Sequence, residues 1–159
     1  MHLPPEGAPP LIYTWLVFVH IFVTMLAVGL NASYVIWILR GTKDSASLPF
    51  ALRGVKFIDD YVANPCYLVG GLSGALMIGM GKSVAPFLWV AMGLYVVAMA
   101  IAYGVYTPLL SRQIRVLEAK GSGDVEYQRL ARRSNQIGVL MGVLVVVILL
   151  LKIFEPPLW

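Results

Sequence analysis

Four long stretches of this chain contain no Asp, Glu, Lys or Arg: Gly7 to Leu39, Tyr61 to Gly81, Ser83 to Ser111 and Ser134 to Leu151. They run to 33, 21, 29 and 18 residues, against the roughly 20 that a helix needs to cross about 30 Å of hydrocarbon. A 159-residue chain that is 59% hydrophobic and 13% charged, with a mean hydropathy of +0.80, cannot keep these stretches in water. The expected architecture is all-α, a single transmembrane domain over 1–159 whose four helices span about 11–39, 61–81, 86–110 and 134–154. A β-barrel would need short segments of alternating polarity, which runs such as Val143 to Leu151 lack. The amino terminus carries Glu6 and no Lys or Arg before a long apolar run, so the first span is expected to remain as a membrane helix and not to act as a cleaved signal.

Ten of the twelve basic residues lie in two connections: Arg40, Lys43, Arg53 and Lys56, then Arg112, Arg115, Lys120, Arg129, Arg132 and Arg133. The positive-inside rule places these connections in the cytoplasm and both termini outside it. The net charge of +4 is thereby explained without nucleic acid. Trp15 and Trp37 stand about 33 Å apart on a helix, the separation of the two interfacial aromatic belts. Ahead of the second span, Leu52 to Ala63 is amphipathic and is expected to form an interfacial helix or an extension of that span. Pro65 then predicts a kink or a helix start at Asn64, Pro86 suits a first helical turn, and Gly121-Ser122-Gly123 predicts a hinge or turn. Gly70 with Gly74, and Gly138 with Gly142, mark two faces for close helix packing, read first as seams internal to the bundle.

Soluble-enzyme motifs are absent from the sequence: no phosphate loop, no His-Glu-x-x-His, no nucleophile elbow. Cys66 is the sole cysteine, which excludes an intrachain disulfide and a cysteine-based metal pair within one copy. The informative side chain is His20, about 7.5 Å below Trp15 by helix rise and so inside the membrane. Thr24, Asn31 and Tyr34 follow at offsets of 4, 11 and 14 and share its stripe, with Ala27 keeping the stripe narrow; this stripe is expected to face protein. His20 can bond a neighbouring helix, ligate a metal or haem iron through one ring nitrogen, or relay protons. His2 is a poor second ligand, and Met25, Met77, Met80, Met92 and Met99 are packing residues first and candidate ligands second. Asp59 and Asp60 are expected to form salt bridges or to sit at a solvated interface, while Lys152 is expected to snorkel outward beside Glu155.

The spacing of Trp15, His20 and Gly29, with Asp60, Pro65 and Gly74, Trp89 and Leu94-Tyr95, and Pro108 followed by Gln113-Ile114-Arg115, resembles an uncharacterised bacterial family of predicted four-helix integral membrane proteins. That family is distantly similar to CopD copper-resistance proteins and HemJ-type protoporphyrinogen oxidases, and the resemblance implies a bacterial inner membrane and haem, porphyrin or copper chemistry. Val17 stands where HemJ proteins often carry a lysine and the segment from Met25 to Gly29 is altered, departures that point away from protoporphyrinogen oxidation; separately, Glu155-Pro156 replaces the Lys-Pro ending usual in the uncharacterised family. The expectation is a small haem-associated or redox-linked membrane protein in which His20 ligates b-type haem, with His20, Thr24, Asn31 and Tyr34 as its site. Copper at His20 is the alternative cofactor. The alternative function is an accessory subunit without chemistry in a homo-oligomer or a larger membrane complex.

Overall fold

A computed structural model describes residues 10–44, 46–80 and 85–156; His2 and Lys82 lie outside that set. Four helical rods are present, each long and apolar enough to cross a membrane: α1 (Leu11–Gly41), α2 (Leu48–Met80), α3 (Pro86–Lys120) and α4 (Val125–Phe154). The protein is an all-α membrane bundle, and its setting is a lipid bilayer.

α1 and α2 run antiparallel as one hairpin, α3 and α4 as another. The short connections close the same end of the bundle, where the basic residues gather, here termed the basic end; the other is the terminal end. In the first connection, the Asp44 carboxylate accepts from Ala46 N–H at 3.1 Å and Ser47 Oγ at 2.6 Å, and these bonds hold its carboxyl below the ordinary aspartate range. Gly41 is required by close approach, since a Cβ there would lie 2.8 Å from the Ala51 methyl. The Gly-Ser-Gly segment is a turn: Gly121 takes a φ of 83°, open to glycine at little cost, and Asp124 caps α4 by accepting from Glu126 N–H at 2.8 Å and Tyr127 N–H at 3.2 Å.

Both middle rods are interrupted by a single π turn, Asp59–Ala63 in α2 and Ala102–Tyr106 in α3. The two share a register with proline: Pro65 and Pro108 each follow the last π residue by two positions. A proline ring inside a helix collides with the carbonyl four residues earlier and offers no N–H to it. That carbonyl belongs to Tyr61 or Gly104, the centre of each π turn, so the wider turn relieves the collision where an α-turn could not. The break expected near Asn64 is therefore a π bulge within a continuous rod.

The amphipathic segment before the second span is the first α-helical part of α2, Leu48–Ile58. Leu48, Ala51, Leu52 and Val55 recur at helical spacing and are buried. Leu48, Leu52 and Val55 meet Leu110, Ile114 and Leu117 of α3, with Tyr34, Tyr106 and Tyr127 completing the cluster. This core joins the two hairpins, and it lies at the basic end. Towards the terminal end most apolar side chains face outward, as lipid contact requires. Trp15 and Trp89 are exposed at the terminal end and Trp37 towards the basic end. Lys152 and Glu155 pair at 3.2 Å, with the ammonium 5.6 Å over the Phe87 ring.

Arg53 pairs with Glu118 at 3.1 Å, and Arg112 and Lys120 converge on Glu126 at 2.7 and 2.8 Å. These are exposed pairs of small energetic weight; the apolar cluster beneath them carries the stability of this end. Leu52 is fully buried, so Leu52→Ala should cost about 2–5 kcal/mol and lower the unfolding temperature in mild detergent by several degrees. Leu149→Ala, at an exposed position, should leave that temperature nearly unchanged.

Candidate functional site

A line of polar side chains fills the α1–α2 interface from the terminal half to the basic end. The stripe expected on α1 faces α2 along its length. His20 Nδ1 lies 2.8 Å from the Gly70 carbonyl and 3.2 Å from Ser73 Oγ. A carbonyl oxygen only accepts, so Nδ1 carries a hydrogen, and an imidazole with its one hydrogen there has its lone pair on Nε2. The ring rests where Gly74 has no side chain: a Cβ there would lie 3.2 Å from His20 Cε1. The Ser73 hydroxyl is spent on its own helix, donating to Val69 O at 2.8 Å and Gly70 O at 2.9 Å.

One turn along α1, Thr24 donates to the His20 carbonyl at 2.6 Å, and its methyl group fills the notch at Gly70, where a Cβ would come within 2.8 Å of it. Gly70 and Gly74 are thus an internal seam, as expected of them. Gly138 and Gly142 are not: nothing among the described residues approaches a Cβ at either within 4 Å, so that face of α4 is open. Ala27 is completely buried between the polar groups. Asn31 Nδ2 then donates to the Tyr67 hydroxyl at 2.8 Å.

At the basic end, Tyr34 donates over a long 3.5 Å to Asp59 Oδ1. Asn64 Nδ2 and Thr107 Oγ1 donate to Oδ2 at 3.2 and 3.3 Å. Three rods therefore converge on one carboxyl that is 4% exposed, and it stands at the first residue of the α2 π turn, with Thr107 directly after the α3 π turn. The two neighbouring acids separate here. Asp60 pairs with Lys56 on the preceding turn, as expected for a boundary carboxylate. Asp59 neither forms a salt bridge with a described residue nor meets solvent, which corrects the expectation for it: its position in the helix turns it inward, against neutral donors.

Of the four residues read as the site, His20 alone keeps a ring atom uncommitted to a described residue. Thr24, Asn31 and Tyr34 are each used in holding α1 against α2. The sequence marks Tyr95 only as part of the family resemblance, without a role, and does not single out Gly71. The Tyr95 hydroxyl donates to the Tyr67 carbonyl at 3.0 Å, and its phenol lies so close over Gly71 that a Cβ there would overlap it. This contact ties the second hairpin to the first beyond the basic-end core. Among the described residues, no group of three or more His, Cys, Asp or Glu side chains is placed to hold a metal ion.

The family profile described as "Predicted integral membrane protein (DUF2269)" matches residues 14–156. No curated protein matches the chain, and no solved structure matches it.

Gly71→Ala should force the Tyr95 phenol away and destabilise the bundle by about 1–3 kcal/mol, the usual range for overpacking. Gly29→Ala, where nothing lies within 4 Å, should leave stability unchanged or raise it by up to about 1 kcal/mol through helix propensity. Thermal unfolding of the two variants side by side measures the difference.

Proposed function

The chain belongs to the DUF2269 family of predicted integral membrane proteins, and we propose that it is a haem-associated, redox-linked member in which His20 supplies an axial ligand through Nε2. The observation that carries this reading is the 2.8 Å contact between His20 Nδ1 and the Gly70 carbonyl. Histidines that ligate metals commonly donate their other ring N–H to a carbonyl or carboxylate, which fixes the tautomer and the ring's orientation and raises the basicity of the ligating nitrogen. Here the donor is fixed by a backbone atom, and the ring is seated against a glycine that leaves it room.

The donor set favours haem over copper. A copper ion bound by protein alone needs several soft or imidazole ligands brought together, and among the described residues no three His, Cys, Asp or Glu side chains gather to hold one. A porphyrin fills four positions itself and asks the protein for one or two axial donors, which suits a single imidazole. Haem bound there would supply one-electron redox chemistry inside the membrane. Thr24 keeps α1 tight against Gly70, Ser73 buttresses the Nδ1 side of the ring, and Asn31 and Tyr34 set the register of α1 on α2, so these residues position His20.

In this reading the basic end faces the cytoplasm of a bacterial cell and His20 sits towards the opposite side, supported by the gathering of ten basic residues at one end. A reporter enzyme active only outside the cytoplasm, fused after Trp159, should be active; an inactive fusion at normal expression would reverse the orientation. Protein purified from haem-replete cells should show a Soret band that shifts on reduction and disappears in His20→Ala, while Leu149→Ala, at an exposed position outside the site, keeps it. A colourless, folded and monodisperse wild-type preparation would remove the haem reading.

A further inference from the structure

We propose that Asp59 is a reversible proton-binding site within the bundle, a role that stands apart from the haem reading and does not depend on it. Asp59 is the one buried acidic side chain among the described residues. The groups that hydrogen-bond it are neutral: the Tyr34 hydroxyl from α1, the Asn64 amide from α2 and the Thr107 hydroxyl from α3, with the buried phenol of Tyr106 nearby in the core; the charges that reach it are those of Lys56 and Asp60, one of each sign on its own rod. The nearest cation in sequence, Lys56, is paired with Asp60. Helix α4 packs on the α3 π turn, but its Arg129, Arg132 and Arg133 are exposed.

A carboxylate taken out of water without a counter-ion is strongly disfavoured, and such a group resolves the cost by accepting a proton. The bond lengths agree with a neutral acid. Charge-assisted bonds to a carboxylate fall near 2.5–2.7 Å from hydroxyls and near 2.7–2.9 Å from cationic N–H groups, whereas the three donors here stand at 3.2, 3.3 and 3.5 Å. A metal cation is a poorer occupant. Asn64 meets the carboxyl through its nitrogen, which leaves two neutral side-chain oxygens, from Tyr34 and Thr107, far fewer than the six or more a hard cation gathers.

One proton from water joins one carboxylate oxygen, forming an O–H bond that can donate to the Thr107 or Tyr34 hydroxyl oxygen; release returns the proton to water and restores the carboxylate. No electron changes hands. The π turns supply the local departure from regular helix that lets the two rods meet at this carboxyl, and such turns recur at functional positions in helices.

Infrared spectroscopy of the full chain in lipid nanodiscs at neutral pH tests the site. The wild type should show a protonated carboxylic-acid carbonyl band that shifts down when H2O is replaced by D2O. The band should vanish in Asp59→Asn and persist in Asp60→Asn. Should Asp59→Asn fail to fold, Tyr34→Phe and Thr107→Val serve instead, and at least one must move the band's frequency. Absence of the band from the wild type, its insensitivity to D2O, its survival in Asp59→Asn, or an unmoved frequency in both hydroxyl variants would overturn the proposal.

Discussion

A polar side chain inside a bilayer has no water to turn to, so it must find its partner on a neighbouring helix or go without. In this bundle that requirement is met along one line, the interface of α1 with α2. His20, Asn31 and Tyr34 reach partners on α2, and Thr24 satisfies its hydroxyl on its own backbone so that its methyl can pack. Small residues make the line possible. Gly70 and Gly74 let α1 come close enough for an imidazole to touch a backbone carbonyl, a bond that a side chain at either position would hold apart. The register of the first hairpin, the depth of His20 and the placing of Asp59 all follow from it.

The second hairpin is attached by different means. Its apolar face at the basic end packs into the α2 cluster around Leu52 and Val55, and Tyr95 reaches across to Tyr67. Between these lies the carboxyl of Asp59, where both middle rods widen into π turns. A regular α-helix carrying Pro65 or Pro108 would break a hydrogen bond and press the ring on a carbonyl. Docking of the hairpins brings the two irregularities together, so that Thr107 of α3 meets Asp59 of α2.

Much of this was legible in the sequence, and the parts that were not share a cause. The four spans follow from uncharged length alone, and the inward face of His20, Thr24, Asn31 and Tyr34 follows from the helical period, because both are properties of one helix. Asp59 and Asp60 are adjacent and chemically identical, so local reasoning gave them one environment; a rotation of about 100° between neighbours sends one to Lys56 and the other into the core. Lys56 four residues before Asp60 was a usable sign of that division. Gly71 under Tyr95, and the openness around Gly138 and Gly142, depend on how two hairpins dock, which no single-helix pattern encodes.

The central claim is that the His20 ring is locked by its Nδ1 hydrogen with Nε2 left as the lone-pair nitrogen. Nitrogen-15 NMR of histidine-labelled protein in nanodiscs, in a His2→Gln background so that one imidazole reports, reads this directly. The account predicts a neutral ring protonated at Nδ1 whose signature changes in His20 contact variants such as Gly74→Ala. A ring protonated at Nε2, or a freely exchanging imidazole, would contradict it.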